Sequence, residues 1–175
     1  MSQVIVDGYN VIHTDDRYSA LAARDLDAAR AHLVADVSAW ATSRGSDAVV
    51  VFDGGGNPAS DGSAHSIAGI TVRFSPAGAD ADGVIEALAR SAREADEEAI
   101  VVTSDAATQW VAMGKRVTRM SSAQFVREVR SGSAEWHEHT PAGSPRSRID
   151  ERIDPAVRDE LATWARGGER RRAGR

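Results

Sequence analysis

Three apolar runs constrain the fold of this chain more than any other feature. Val4-Ile5-Val6, Ala48-Val49-Val50-Val51-Phe52 and Ala99-Ile100-Val101-Val102 have no polar residue at alternate positions. A strand with one face in water alternates polar and apolar side chains. Unbroken runs therefore predict strands covered on both faces, as in the parallel sheet of an α/β protein. Ile70-Thr71-Val72-Arg73-Phe74 alternates and predicts a shorter strand, and Arg116 to Met120 a short edge strand.

The segments between these runs have helical spacing. From Asp25 to Arg44 the residues Leu26, Ala29, Leu33, Val37 and Trp40 recur at helical intervals, with Gly45 as a stop, and this predicts the first crossover helix. Asp80 to Ala95 predicts another, with Val84, Ile85, Leu88 and Ala92 inward and Asp80 and Asp82 at its positive end. Asp105 is expected to cap a helix carrying Trp110, Val111 and Met113, and Ser121-Ser122 to cap one that runs through Val129. Ser131 to Ser147 reads as loop, and Asp154 to Arg166 as a last helix with Pro155 in its first turn. Strands alternating with helices imply right-handed crossovers and a three-layer α/β sandwich around a central, mainly parallel sheet.

At 175 residues the chain fits one folded unit, since domains usually hold roughly 100–200 residues. The expected division is a domain over 1–131, a loop over 132–153, and a C-terminal helix with an Arg-rich tail over 154–175 that packs on the same domain or extends from it. The absence of cysteine excludes disulfides, thiolate zinc sites and cysteine nucleophiles. No basic leader precedes the first strand, and no apolar run approaches the ~20 residues a membrane span needs. The expectation is a cytoplasmic protein that does not engage membranes. Net charge is -5, but residues 144–175 carry nine Arg against six acidic residues while the first 143 residues net -8. The basic character is concentrated in the tail.

The chemistry starts from how the strands end. Val6-Asp7, Phe52-Asp53 and, after Thr103, Ser104-Asp105 place three carboxylates on one edge of one sheet, the edge where α/β proteins bind ligands. Any one of them could simply cap the next helix or turn. Asp82 and Glu86, four apart, share one helix face near its start. Alone they would be a solvated face. Like charges held together cost free energy unless a cation neutralises them, and hard oxygen donors select Mg²⁺ or Mn²⁺. Such an ion makes hydroxide from bound water and offsets charge in phosphodiester cleavage.

Four blocks, Ile5-Val6-Asp7-Gly8-Tyr9-Asn10-Val11-Ile12, Val51-Phe52-Asp53, Ala79-Asp80-Ala81-Asp82-Gly83-Val84-Ile85-Glu86 and Val102-Thr103-Ser104-Asp105, resemble in order those of the YacP-like NYN domain family, which has a PIN-like nuclease fold. The resemblance spans residues 4 to about 130, and the closing Arg-containing helix is similar to that family's C-terminal segment. It implies a metal-dependent endoribonuclease acting on RNA, in the family's best-known member one that associates with ribosomes and cleaves translated mRNA. By motif, Asp7, Asp82 and Asp105 would be the metal ligands. Asn10 would hydrogen-bond substrate phosphate or metal-bound water, Glu86 would be an outer ligand or supporting group, and Asp53 would line the same cleft. Where relatives often carry Glu-Thr-Ala-Asp, this chain has Ala79-Asp80-Ala81-Asp82: the first carboxylate is missing and an extra one stands at Asp80.

Other features are read more plainly. Gly54-Gly55-Gly56 lacks the Lys-Ser/Thr of a P-loop and is read as a flexible loop. His13 near the expected cleft is read as incidental, and His137 and His139 with Glu135 and Glu138 as a solvated loop rather than a metal site. Trp110 and Trp164 fall on apolar helix faces, leaving Trp136 as a candidate for base stacking. Arg170, Arg171 and Arg172 either hold RNA phosphates for an otherwise acidic domain or form a solubilising tail. A haloacid-dehalogenase phosphatase would need a second Asp where Tyr9 stands, and no Gly-x-Gly-x-x-Gly turn follows the first strand. Two alternatives remain open: a metal-dependent endoribonuclease for single-stranded mRNA, with the ribosome as partner, and an RNA- or ribosome-binding module of the same fold that no longer cleaves.

Overall fold

The computed structural model describes residues 2–55, 60–104, 116–138 and 154–166. Its strands are β1 (Ser2–Asp7), β2 (Asp47–Phe52), β3 (Ala64–Ile67), β4 (Ile70–Phe74), β5 (Glu98–Val102) and β6 (Val117–Met120). They form one six-stranded sheet in the order β3-β4-β2-β1-β5-β6. All neighbours are parallel except β3 and β4. The expected mainly parallel α/β sandwich is therefore what the chain forms.

The helices are α1 (Gly8–Thr14), α2 (Asp16–Ala22), α3 (Leu26–Arg44), α4 (Ala81–Glu94), α5 (Ser122–Glu138) and α6 (Pro155–Ala165). Apolar strand residues divide by parity between two cores. Val4, Val6, Val50, Phe52, Val72 and Phe74 pack with α1, α2, α3, α5 and α6, and Ile5, Val49, Val51 and Val101 pack with Ala81, Ile85, Ala89 and Ala92 of α4. This explains why the strands lack alternation: both faces are covered, and each consecutive side chain enters one layer or the other. Among the described residues no helix is long and apolar enough to cross a membrane.

The structure departs from expectation in three places. The crossover from β1 to β2 contains α1 and α2 before α3; each is only seven residues long, too short to show a periodic stripe. The edge strand β3 pairs with β4 through Ala68-Gly69, both at positive φ (50° and 78°). Positive φ at both turn positions is the geometry usually announced by Asn-Gly or Asp-Gly, and Ala-Gly gives no such signal. Finally, α5 continues to Glu138, through Ser131-Gly132-Ser133, because low helix propensity is a weak constraint that context overrides. The expected helix after Asp105, and the Trp110, His139 and Arg170 to Arg172 positions, lie outside the described residues.

Candidate active site

At the carboxyl ends of β1 and β2 and the start of α4, a cleft of about 260 Å³ is lined by Asp7, Tyr9, Asn10, His13, Asp53, Asp80, Ala81 and Asp82. The expected edge of the sheet thus gathers Asp7, Asp53, Asp80 and Asp82 around one space, with Asn10 beside them. Glu86 is not among the lining residues. It pairs with Arg90 one turn further on, at 2.6 Å, so its acidic face is engaged along the helix and the spacing to Asp82 does not bring it into the cleft. Asp105 lies outside the described residues.

Each carboxylate also has a structural task. Asp7 is 9% exposed and caps α1, accepting from the Asn10 backbone N–H at 3.1 Å, while its other oxygen faces the Thr103 hydroxyl at 3.5 Å. Asp53 accepts from Gly55 N–H at 2.7 Å in an Asx-turn. Asp80 caps α4 through Gly83 N–H at 2.8 Å. The plain and the chemical roles coexist, because an N-cap carboxylate still presents lone pairs to a ligand. Close packing fixes the turn after Asp7: a Cβ on Gly8 would run into the Phe52 ring, so only glycine lets α1 begin there.

Asn10 joins three elements. Its side-chain carbonyl accepts from Ser104 N–H at 2.9 Å and from the Ser122 hydroxyl at 2.6 Å, and Ser122 N–H donates to Ser104 Oγ at 3.1 Å. The start of α1, the end of β5 and the start of α5 are thereby locked together beside the cleft. Neither serine could be recognised from the sequence, since nothing local marks a residue whose partner lies about a hundred positions away. Tyr9 and His13 are the cleft residues the sequence left without a role. The glycine loop after β2 is pinned rather than free at its start, with Gly54 N–H donating to Ser75 Oγ at 2.8 Å. Trp164 is partly buried against the core and stacks on His65, with ring centroids 3.9 Å apart.

The donor set is made of oxygen, the kind a hard divalent cation takes. Among the described residues no group of three or more His, Asp or Glu side chains is close enough to hold an ion.

A mainly parallel sheet with carboxylates over the ends of its central strands defines an α/β protein whose candidate site lies at the carboxyl edge of the sheet. The family model for the YacP-like NYN domain matches residues 4–166, and the chain belongs to that family. It is 29% identical over 138 residues to the uncharacterized protein YacP of Bacillus subtilis, covering 74% of this chain and 75% of that one. A crystal structure of Rae1 (YacP) from Bacillus subtilis, in a mutant form, superposes with a TM-score of 0.67 at 25% identity, covering 93% of this chain and 99% of that one. A second Rae1 (YacP) structure gives 0.66 at 26% identity over 79% of each chain. Membership supports a nuclease-like, RNA-related role.

Proposed function

We propose that this chain is a metal-dependent endoribonuclease hydrolysing phosphodiester bonds in single-stranded RNA, with mRNA at the ribosome as substrate and the cytoplasm as its place of action. The observation that carries this is the convergence of Asp7, Asp53, Asp80 and Asp82 on one cleft beside Asn10, in a member of the YacP-like NYN family. Asp7, Asp82 and Asp105 would hold Mg²⁺ or Mn²⁺, which when bound lowers the pKa of a water nucleophile and offsets charge on the phosphorus centre. Asp7 is held in place by the Asn10 backbone and Thr103, and Asp53 and Asp80 border the space through which the backbone of the RNA passes. Arg170, Arg171 and Arg172 would supply the positive charge that the acidic domain lacks.

A non-cleaving RNA- or ribosome-binding module is the second reading. It is favoured by the altered Ala79 to Asp82 segment, which lacks the first carboxylate of the Glu-Thr-Ala-Asp pattern.

Purified protein and an Asp7→Asn variant incubated with single-stranded RNA and Mn²⁺ separate the two. Cleavage by the parent that chelation abolishes and the variant lacks is the expected result. Equal cleavage by both proteins, or none with any divalent metal, sinks the nuclease assignment, and sedimentation with ribosomes without RNA loss supports the module.

A further inference from the structure

We propose that Ser75 is a positioning residue of the cleft, its buried hydroxyl setting the distance between the loop that carries Asp53 and the segment that carries Asp80 and Asp82. This rests on the nuclease reading above.

Ser75 follows β4 directly and is fully buried, 0% exposed. Every polar group it has is engaged. Its N–H donates to the Phe52 carbonyl at 2.9 Å, continuing the β2–β4 ladder by one residue. Its Oγ accepts from Gly54 N–H at 2.8 Å and donates to the Ala79 carbonyl at 3.0 Å. Its own carbonyl accepts from the Ser60 hydroxyl at 2.6 Å, and the Ser60 backbone carbonyl accepts from Ala77 N–H at 2.8 Å. Gly54 is the residue after Asp53 and Ala79 the one before Asp80, so a single oxygen atom bridges the two acidic segments.

The approach is as close as backbone allows. A Cβ on Gly54 would collide with the Ser75 carbonyl oxygen, so only glycine fits at position 54. The chemistry also requires a hydroxyl, because one heavy atom has to accept from an amide and donate to a carbonyl at once. Alanine leaves the partly buried Gly54 N–H and the Ala79 carbonyl without that bridge, so the two segments lose the atom that spaces them. Asp82, the metal ligand proposed for these segments, tolerates only about 0.5 Å of displacement from the geometry that holds a cation. Loss of a group supporting metal ligands typically weakens metal affinity or activity by roughly 10–100-fold.

The test compares the full chain with Ser75→Ala and Ser75→Thr, measuring Mn²⁺ binding by calorimetry, RNA cleavage against Mn²⁺ concentration, and amide exchange at Gly54. Ser75→Ala is expected to speed Gly54 exchange, to weaken Mn²⁺ binding by roughly 10–100-fold and to raise the Mn²⁺ needed for half-maximal cleavage in parallel, with Ser75→Thr recovering most of each. Unchanged Mn²⁺ affinity in Ser75→Ala overturns the role. So does an equal loss in Val72→Ala, which loosens β4 without touching the bridge. If Ser75→Ala does not fold, Ser60→Ala, which removes only the outer strap, should show the same changes in smaller degree, and no change there overturns the proposal. A parent protein that neither binds Mn²⁺ nor cleaves fails the nuclease reading instead, and this inference falls with it.

Discussion

Arg30 grips the hydroxyl of Tyr9: Nε donates to it at 2.9 Å and Nη2 makes a second bond, while Nη1 reaches Asp27. Arg30 is only 7% exposed, and its guanidinium lies 5.4 Å from the Tyr9 ring centroid and 5.9 Å from that of Phe74. A cation on the core side of an acidic cleft thus fixes one of the cleft's own walls. Tyr9→Phe removes the acceptor without changing shape, leaving charged donors short of a partner. The expected loss is roughly 1.5–3 kcal/mol in urea unfolding. A loss below about 0.5 kcal/mol would mean that water replaces the phenol.

Asn10→Ala and Asn10→Asp distinguish the structural from the chemical use of this side chain. Alanine removes the acceptor for Ser104 and Ser122 and should cost roughly 1–3 kcal/mol of stability. Aspartate keeps an acceptor and should recover most of that loss by the same unfolding measurement. Equal losses in both variants would show that the acceptor is not what holds α1, β5 and α5 together.

Asp82 and Glu86 were equivalent by spacing but not by position. Asp82→Asn should lower metal-dependent RNA cleavage by about 10²-fold or more. Glu86→Gln breaks only the exposed pair with Arg90, worth ~0–1 kcal/mol, and should leave cleavage near the parental rate. Initial rates at saturating Mn²⁺ decide it; a comparable loss in Glu86→Gln would return that residue to the site.

Ala68 sits at φ 50° in the β3–β4 turn, a conformation costly for a side chain with a Cβ and better tolerated by Asn. Ala68→Asn should raise stability by roughly 0.5–1 kcal/mol. Thermal unfolding of the two proteins checks it. A fall would mean that strain is not what limits this turn.

A pH-dependent tie joins α2 to α3. The Tyr18 hydroxyl donates to Asp36 at 2.6 Å and His32 Nδ1 lies 3.1 Å from the same carboxylate oxygen. The hydrogen bond to Asp36 holds the His32 pKa above its usual value against the opposing effect of burial. Burial works to raise Asp36, but its bonds with His32 and Tyr18 outweigh it and the pKa is lowered. Because His32 is raised, its contribution is complete below its unfolded value of about 6.5 and is lost as pH rises through the folded value. Asp36 contributes above its unfolded value and loses that contribution as pH falls through its lowered one. Stability of the parent should therefore fall from pH 6 to 8 relative to His32→Asn, as read by urea midpoints across that range. Parallel curves would show that the imidazole does not titrate in this pair.

Much of this was legible in the sequence because it depends on local pattern. The unalternated runs at Val4, Ala48 and Ala99 named the strands, and the helical segments read from Asp25, Asp80 and Asp154 are α3, α4 and α6, whose N-caps these three residues prove to be. Asp7, Asp53 and Asp82 were identifiable because strand ends and helix starts are set by neighbours in the chain. What escaped were relationships across the chain. Asn10 with Ser104 and Ser122, Ser75 with Gly54 and Ala79, and Arg30 with Tyr9 each depend on which segments the sheet order brings together, and a serine in a loop carries no mark of that. The β3 hairpin escaped for a different reason, since its turn uses Ala68 where an asparagine would have announced it.

The last helix is fastened to an early part of the chain. Arg158 pairs with Asp25 across 133 positions and Arg166 with Asp27 across 139, and Leu161 completes the core beneath them. Contacts of such separation must overcome the entropy of closing almost the whole chain before they repay it, so they form late. During synthesis the beginning of α3 can be made, and even helical, while its binding partner is still inside the translating machinery. The domain closes only when its final stretch has emerged, so a prematurely ended chain would leave the Leu161 site empty and the early core open to water.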